Sequence, residues 1–407
     1  MNRTRIINAT RILNTIWIHR TVSRVDIARL LDLNKSTVSH IIGEFMEAGI
    51  LVEDSIGESS TQGGRRPINL RMNSYYGCVI GLELRPDSYT AIGTDLQGVI
   101  LFVKTEQMTI SGDRLKDVFF EIIRRIEPEC LRVHRPILGI GVGIAGPLDP
   151  FRQIIRYSIP MGIESHFDFF DTVSRHMPLP VFLDNDANCG AWGELAFHRQ
   201  RELKNFIFTL VEFRDMDQQR IREKTSVGLG IVINGSVYYG HDYSAGEFSS
   251  IFRKPEDQGQ FSLSKGEINR LEEDPELLER FIRELSRNLA LLINTLNMKR
   301  IFLGGQIVRY QSLVQRILTE EIDANWPYPD GRNCEILFSS LNDKSAAYGA
   351  AGMVLDRLFM DIQLASQRID MRYANMDLVS LWLNGVEGPY KPLSYQEVVS
   401  RMDQLKE

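Results

Sequence analysis

One order of secondary-structure signals occurs twice between residues 77 and 358, and this repeat restricts the possible folds more than any other feature. Three short β-rich segments precede an amphipathic helix near residues 114–125, a buried strand, a second helical region, another buried strand and a helix from about residue 187. Around residue 205 the order restarts with the segments NFIFTLVEF, SVGLGIVING and SVYYG, and helices then alternate with RIFLGG and CEILFSS. This repeat predicts a two-lobed α/β body with a cleft between its lobes.

The size and composition are those of a soluble protein with several domains. At 407 residues the chain is too long for one core, and its 43% hydrophobic and 25% charged residues are ordinary for a globular protein. No run reaches the roughly 18 apolar residues of a membrane span, and the N-terminus does not resemble a secretory signal. The cysteines lie far apart without a CxxC pair, which predicts reduced thiols in a cytoplasmic protein.

Residues 23–47 carry the signals of two short helices. Ser23 and Asp26 resemble a capping box, so the first helix is predicted to begin near Arg24 and to end at Asp32. Asn34 is suited to cap the second helix. Apolar residues at helical spacing form the predicted inward face of the first helix: Ile27, Leu30 and Leu31. Those of the second helix are Val38, Ile41, Ile42 and Phe45.

The other face of the second helix carries short polar or cationic side chains near its N-terminal end, which suit a DNA major groove. These residues are Lys35, Ser36, Thr37, Ser39 and His40. A strand, a glycine-rich loop and a strand follow, and Arg65 and Arg66 in that loop are placed to reach phosphates or a narrow minor groove. The segment is predicted to be a winged helix-turn-helix. The alternative is a helical hairpin with a solvated polar face and a solvated arginine pair.

The charge distribution agrees with a DNA-binding head. The net charge is −6, but residues 1–75 contain ten Lys and Arg against seven Asp and Glu, whereas the remainder contains 37 against 46. A basic head on an acidic body fits a small DNA-binding module attached to a larger domain.

Several ordered motifs resemble the ROK family of repressors and sugar kinases. The resemblance covers residues 77–358, and the head is similar to the winged helix-turn-helix of the repressor branch, including GGRRP. It implies an α/β fold with an actin-like, ribonuclease-H-like double lobe. The matching motifs are GVGIAGPLD (141–149), DNDANCGAWGE (184–194), SAGE (244–247), IFLGGQI (301–307) and AAYGAAG (346–352).

The resemblance and the residue patterns together predict four parts. Residues 1–74 are the winged helix-turn-helix, residues 75–204 the first lobe, and residues 205–360 the second lobe, whose final helix returns to the first. Residues 361–407 are an extension of unknown role. Leu378, Leu381 and Trp382 have helical spacing and predict one face packed on the body or on a partner subunit.

The segments that match the kinase phosphate loops lack the residues that bind ATP. In ROK kinases an Asp-x-Gly-Gly-Thr-Lys turn follows the first strand, whereas this chain has Glu-Leu-Arg-Pro-Asp-Ser at residues 83–88. Pro86 has no N–H to donate, and Asp87 would place a carboxylate beside the triphosphate. The second loop matches residues 224–226, where only Thr225 is kept. These changes predict a protein that is not a kinase.

The zinc site of the family is also absent from the sequence. Ser250 stands where the family has a histidine, and the next segment contains no cysteine. Because tetrahedral zinc needs sulfur or imidazole ligands, the sequence predicts no metal and no cofactor. Cys189 and Cys334 are interpreted as small buried hydrophobic residues.

The family's sugar-binding residues are partly kept. Asn185 and Asp186 match a pair that binds sugar hydroxyls, and Glu247 matches a third such residue. Asp186 is also equivalent to the catalytic base of the kinases. A ligand contact is the favoured role here, and a helix N-cap or an active base are the alternatives. Because this chain lacks about half of the polar residues that line the family's sugar pocket, the cleft could bind a different sugar, a smaller ligand or nothing.

The predicted function is transcriptional regulation, as a repressor of carbohydrate-metabolism genes. A dimer or dimer of dimers would bind a palindromic operator in double-stranded DNA, and a sugar or other small molecule would act as effector. Two alternatives stay open: an ATP-dependent sugar kinase with a regulatory head, and a regulator that no longer senses sugar.

Overall fold

The structure is a computed structural model that describes residues 3–56, 67–198, 203–213, 224–257, 259–359 and 393–405. Several predicted features lie outside these residues. They are the arginines at the wing tip (Arg65 and Arg66), most of the charged insertion (214–223) and the helical face in the C-terminal extension (Leu378, Leu381 and Trp382).

The described residues of the head (3–56 and 67–74) form three helices and a small antiparallel sheet with strand order β1–β3–β2. Its elements are α1 (Arg3–His19), β1 (Val22–Ser23), α2 (Arg24–Leu31), α3 (Lys35–Glu47), β2 (Leu51–Ile56) and β3 (Ile68–Met72). A helix-turn-helix followed by two antiparallel strands has the form of a winged helix-turn-helix, as predicted.

The capping and periodicity signals of the head are mostly confirmed. The Ser23 hydroxyl accepts a hydrogen bond from the Asp26 N–H (3.2 Å), and all four predicted apolar positions of α3 are buried. Asn34 is the N-cap of α3 but makes no side-chain capping bond. The prediction for Leu30 is wrong, because its side chain is 52% exposed. The inward face of α2 is centred on Ile27 and Ala28, and Leu30 lies beyond its edge.

The first lobe is built on a sheet with strand order β11–β7–β4–β5–β6. Strands β11, β7 and β4 are parallel, and β5 and β6 continue the sheet as an antiparallel meander. The elements are β4 (Cys78–Leu84), β5 (Ser88–Asp95), β6 (Ile100–Gln107), α4 (Leu115–Arg125), α5 (Glu127–Val133), β7 (Ile137–Ile144), β8 (Leu148–Asp149), β9 (Ile154–Ile155), β10 (Phe167–Asp168), α6 (Phe169–Thr172), β11 (Val181–Asn185) and α7 (Asp186–Phe197).

The second lobe repeats this plan with strand order β14–β13–β12–β15–β16. Strands β12, β15 and β16 are parallel, while β13 and β14 are antiparallel to their neighbours. Its elements and those that follow are β12 (Phe206–Phe213), β13 (Thr225–Ile233), β14 (Ser236–Val237), α8 (Lys265–Asn269), α9 (Pro275–Thr295), β15 (Arg300–Gly305), α10 (Gln311–Ala324), β16 (Glu335–Phe338), α11 (Ser345–Phe359) and α12 (Tyr395–Gln404). The duplicated α/β architecture predicted from the sequence is confirmed.

Helix α11 follows the second sheet in sequence but packs against β4, β7 and α7 of the first lobe. Its contact with α7 is made backbone to backbone at Gly349, where an added Cβ would lie 1.6 Å from the Cys189 carbonyl oxygen. Only glycine fits at such a distance, so α7 and α11 form a tightly packed pair.

Two contacts at the edges of the first lobe were not predicted. The buried apolar side chains of the head and of α11 form one continuous hydrophobic cluster. Helix α12 packs on the core beneath α4 and α5, where the Tyr395 hydroxyl donates to the Ile123 carbonyl (2.7 Å). The last described residues therefore belong to the packed core of the first lobe.

None of the helices in the described ranges is long and apolar enough to cross a membrane.

Candidate functional site

A cavity of about 420 Å³ lies between the start of α7 and strand β13 of the second lobe. Aromatic rings from Tyr157 and Tyr243 contribute to its wall. Besides these tyrosines, its polar lining consists of Asn185, Asp186, Asn188, Ser226, Glu247, Ser249 and Gln260. All three ligand residues predicted from the sequence, Asn185, Asp186 and Glu247, therefore open onto one cavity of a size suited to small molecules.

Asn185 and Asp186 reach the cavity because β11 ends at the point where α7 begins. The Asn185 side chain accepts hydrogen bonds from the N–H groups of Ala187 (2.9 Å) and Asn188 (3.3 Å), so Asn185 is the helix N-cap. The interpretation of Asp186 as the N-cap is wrong by one residue, and α7 starts at residue 186 rather than 187. Asp186 is the first helical residue, and its carboxylate accepts from the Ala187 N–H (2.8 Å).

Glu247 enters the cavity from a loop that pairs with β13. Gly246 has φ +96°, and an added Cβ there would lie 1.8 Å from the Leu229 carbonyl oxygen. The Leu229 N–H donates to the Gly246 carbonyl (3.0 Å), which fixes the loop against the strand. The Glu247 side chain is accessible from the cavity. The surrounding protein removes part of the water around its carboxyl group, and this desolvation raises the pKa of that group above its usual value.

Asp184 holds Asn188, one of the residues that line the cavity, a role that the sequence pattern alone did not indicate. Its carboxylate is fully buried and accepts from Tyr239 Oη (2.7 Å), Asn188 Nδ2 (3.0 Å) and Trp192 Nε1 (3.1 Å). Burial raises the pKa of Asp184, and these hydrogen bonds oppose that shift. Because Tyr239 follows β14, the network joins the two lobes. The position of Asp184, a carboxylate at the end of a buried apolar strand, was the signal in the sequence that could have revealed this role.

A second group of charges lies at the position of the first kinase phosphate loop. Arg85 Nη2 lies 2.9 Å from Glu83 Oε1, and Arg85 Nε lies 2.9 Å from Glu212 Oε1. Arg85 also donates to the Asp343 carbonyl (2.8 Å). We call Arg85, Glu83 and Glu212 the Arg85 triad. Both carboxylates are buried, so the triad is a buried cluster of ionisable groups between β4 of the first lobe and β12 of the second.

The Arg85 triad contains one more carboxylate than cation. The pKa of Glu83 is raised to about 8: burial is the largest cause and the nearby carboxylates of Glu212 and Asp186 add to it, whereas Arg85 opposes the shift. The Arg85 N–H also donates to the Ser88 carbonyl (2.9 Å), which closes the turn after β4 with the chain's own backbone. The sequence showed that this turn is altered, but not that its arginine bridges two lobes.

Hydrogen bonds organise the segment that corresponds to the family's zinc cluster. The Ser250 hydroxyl accepts from Asn288 Nδ2 (3.1 Å), and Asn288 Oδ1 accepts from the Ile251 N–H (2.9 Å). The Gln260 side chain accepts from the Val227 N–H and donates to the Val227 carbonyl, both at 2.7 Å. Asn288 and Gln260 were not identified from the sequence. The parts of the chain that the structure describes contain no group of three or more His, Cys, Asp or Glu arranged for a metal.

The predicted DNA-contact residues on α3 share one accessible face. Lys35, Ser36, Ser39 and His40 are exposed, and Thr37 is half-buried, opposite the buried stripe of that helix. His40 Nε2 lies 3.3 Å from Glu44 Oε1 one turn later. This face has the shape and polarity of a recognition helix.

Comparisons with known proteins agree with this architecture. The model of the ROK family matches residues 79–259 and 252–357. The xylose repressor of Bacillus spizizenii is 26% identical over 388 residues, covering 88% of this chain and 96% of that protein. The crystal structure of a ROK transcriptional regulator, described as a homologue of the E. coli MLC protein, has a TM-score of 0.69 at 16% identity and covers 95% of this chain and 100% of its own.

The kinase branch shares the fold of the body. A ROK glucokinase from Streptomyces griseus, solved with glucose and AMPPNP, has a TM-score of 0.53 at 19% identity and covers 68% of this chain and 99% of its own. The family match covers well over half of the residues and includes both lobes, from β4 to α11. This chain belongs to the ROK family.

Proposed function

We propose that this chain is a sugar-responsive, DNA-binding transcriptional regulator that represses genes of carbohydrate metabolism. The observation that carries the proposal is the union, in one chain, of an exposed recognition face on α3 and a ROK body with a polar cavity. The similarity to a xylose repressor supports it, because that similarity covers 88% of the chain and so extends well beyond the body. We further propose the division into residues 1–74, 75–204, 205–360 and 361–407 described above.

The proposed DNA interface consists of the exposed α3 residues and the wing arginines, Arg65 and Arg66. Side chains at the N-terminal end of α3 contact base edges in the major groove or the phosphates that border it. The arginines contact the DNA backbone or the minor groove beside it. One recognition helix makes too few contacts for specific binding, so a homodimer or homotetramer binds a palindromic operator.

The proposed effector is an uncharged, hydroxyl-rich molecule. Carboxylates accept hydrogen bonds from hydroxyl groups and amides both donate and accept them, and Asp186 and Glu247 both face the cavity. Among the described lining residues there is no lysine, arginine or histidine. A phosphorylated sugar would therefore place its negative charge beside two carboxylates, which is unfavourable.

We also propose that the cavity senses its ligand without phosphorylating it. ATP phosphates at the first kinase loop would meet Glu83 and Glu212 of the Arg85 triad, and Pro86 offers no N–H to them. Arg85 is already held by these carboxylates, so it is not a free phosphate ligand. Sugar binding shifts the equilibrium between two closure states of the lobes, and the lobe angle sets the spacing of the heads.

The test combines DNA binding and calorimetry. A duplex selected from a random library by the wild-type chain is titrated with protein, with and without D-xylose, D-glucose or N-acetyl-D-glucosamine. One of these sugars is expected to bind and to weaken DNA binding. Asp186→Asn removes a charged acceptor, so sugar affinity should fall by about 10- to 150-fold, which corresponds to about 1.5–3 kcal/mol. DNA binding without sugar should be unchanged.

Two outcomes would favour the other functions. ATP-dependent phosphorylation of any sugar in a coupled assay, abolished by Asp186→Asn, would identify a kinase. DNA binding that no sugar changes, with no heat of binding for any of them, would identify a regulator that has lost sugar sensing. Asp242→Asn serves as a control for the cavity, because Asp242 pairs with Arg156 (3.3 Å) and is not among the cavity-lining residues.

A further inference from the structure

Arg20, the first residue after α1, connects the head to the body. Its guanidinium donates from Nη2 to the Phe197 carbonyl (3.1 Å) and from Nη1 to the Gln97 carbonyl (3.3 Å). Phe197 is the last residue of α7, and Gln97 lies in the turn between β5 and β6. One side chain of the head thus contacts two separate parts of the first lobe.

The contact at Phe197 is electrostatically favourable. Carbonyl groups in the last turn of a helix have no partner within the helix and carry partial negative charge. A guanidinium at this end satisfies such a carbonyl and opposes the helix dipole. The C-terminal end of α7 is therefore a suitable anchor for a cation from the head.

The backbone of Arg20 supports a specific role for its side chain. Its φ is +62°, in the left-handed region that glycine and asparagine adopt at lower cost. Residues in sparsely populated backbone regions persist where surrounding structure holds them, often at functional sites. Here the long side chain makes two contacts that neither glycine nor asparagine could replace.

Helix α7 runs from the cavity to this anchor. Asn185 and Asp186 at its N-terminal end line the cavity, and its twelve residues span about 18 Å. All of them are buried, and Gly349 of α11 packs directly on the backbone of α7. A displacement at one end of such a helix is carried to the other end, because the helix has little room to bend.

A second contact joins the same end of α7 to the head through α11. The Phe197 ring stacks on Tyr348 of α11, with ring centroids 3.8 Å apart, and the Tyr348 hydroxyl donates to the Gly98 carbonyl (2.9 Å). The neighbouring Gln97 side chain donates to the Met72 carbonyl at the end of β3 (2.8 Å). The turn at residues 97–98 therefore contacts the head, α7 and α11 together.

We propose that Arg20 is a positioning residue that transmits the state of the cavity to the DNA-binding head. The inference rests on the function proposed above. A ligand at Asn185 and Asp186 shifts α7 along its axis, Phe197 moves with it, and Arg20 turns the head. Without Arg20, the cavity still binds its ligand and the head still binds DNA, but each binds independently of the other.

The test uses the full chain with Arg20→Gly, which removes both guanidinium contacts and suits the left-handed backbone. Arg29→Ala is the matched control, because Arg29 is also a head arginine but pairs with Asp26 within α2. DNA affinity for the selected duplex is measured with and without D-xylose, D-glucose and N-acetyl-D-glucosamine. Sugar binding is measured separately by calorimetry.

The expected result is loss of coupling alone. In the wild type and in Arg29→Ala, a sugar that binds should weaken DNA binding by roughly 5- to 150-fold, the usual range of allosteric coupling. In Arg20→Gly the same sugar should bind equally well and change DNA affinity by less than about twofold. A full sugar response in Arg20→Gly would overturn the inference while leaving the proposed function intact.

Hydrogen–deuterium exchange provides a readout that needs no sugar. Arg20→Gly should increase deuterium uptake in peptides covering residues 12–20 and 95–99, because two of the hydrogen bonds that hold the head on the body are lost. Uptake in α9 should stay unchanged, and so should the melting temperature of the body. If no sugar acts on the wild type, the effector part of the proposed function fails, and unchanged uptake at these peptides would still refute the role of Arg20.

Discussion

Glu83, Arg85 and Glu212 illustrate how a few residues can change the chemistry of an inherited fold. The guanidinium lies 2.9 Å from each of the two carboxylates, where the kinase loop would bind phosphate. A buried carboxylate without its cation costs several kcal/mol, so the three side chains depend on one another. Burial also raises the pKa of the Glu83 carboxyl group well above its usual value.

Glu83 predicts a specific pH dependence of stability. Its pKa is raised from 4.5 to about 8, so between these two values the folded chain keeps a proton that the unfolded chain releases. The free energy of unfolding should therefore fall as pH rises through this range, by at most about 1.4 kcal/mol per pH unit. Glu83→Gln removes the titration. Between about pH 5 and about pH 9 the melting temperature of the wild type should fall relative to that of the variant. Parallel curves of melting temperature against pH for the two proteins would contradict the assignment.

Removing the two wing arginines should change how strongly DNA binding depends on salt concentration. Arg65→Ala with Arg66→Ala should weaken DNA binding by several kcal/mol at most and reduce the salt slope by about 1 for each phosphate contact that is removed. A double control, Arg29→Ala with Arg71→Ala, removes the same charge from arginines that pair with Asp26 and Asp54. Gel-shift affinities that fall equally in both double variants would show that only net charge matters.

At the scale of elements, the junction between β11 and α7 combines a structural and a functional role. Asn185 caps the helix through its side-chain oxygen and also lines the cavity, while Asp186 enters the first turn. The sequence indicated that a helix begins here. The exact cap, however, depended on where β11 stops pairing with β7, which is a property of the sheet.

Two glycines in different helices predict opposite effects of the same substitution, one at the close contact of α7 with α11 and one on α3. Gly349→Ala places a Cβ 1.6 Å from the Cys189 carbonyl, and backbone atoms cannot yield cheaply, so unfolding free energy should fall by about 3 kcal/mol or more. Gly43→Ala in α3 meets no atom within 4 Å and should stabilise the helix by about 0.5–1 kcal/mol. Urea unfolding of the two variants measures both, and a stable Gly349→Ala protein would refute the close packing.

At the scale of the whole molecule, the head and the body share hydrophobic core. Leu13 and Ile16 of α1 belong to the same buried cluster as Leu355 and Leu358 of α11. The head is therefore packed on the body as well as linked to it by the chain. Such packing limits free rotation of the head. The proposed mechanism, in which the lobe angle sets the spacing of the heads, requires this restriction.

This shared core predicts the effect of removing the head. A chain of residues 75–407 should melt at a lower temperature than the full chain and bind more of a hydrophobic dye, because the α11 leucines become exposed. Each re-exposed leucine costs about 1.5–3 kcal/mol. Substitutions that make the new surface polar, Leu355→Gln and Leu358→Gln, should reduce dye binding. Equal melting temperatures for the long and short chains would contradict a shared core.

The sequence by itself determined the order of helices and strands, the capping at Ser23 and the buried stripe of α3. The capping and the buried stripe follow from short-range rules, because capping and helical periodicity act over three or four residues. Asn185, Asp186 and Glu247, which proved to share one cavity, were identified through the resemblance of their motifs to the ROK family.

Only the tertiary structure decided the contacts between distant residues. Arg20 meets Phe197 across 177 positions, and Arg85 of the first lobe joins Glu212 of the second. The exposure of Leu30 and the return of α12 to the first lobe were likewise decided by packing. Which surfaces meet depends on the summed packing of many side chains, and no local pattern in the sequence encodes that sum.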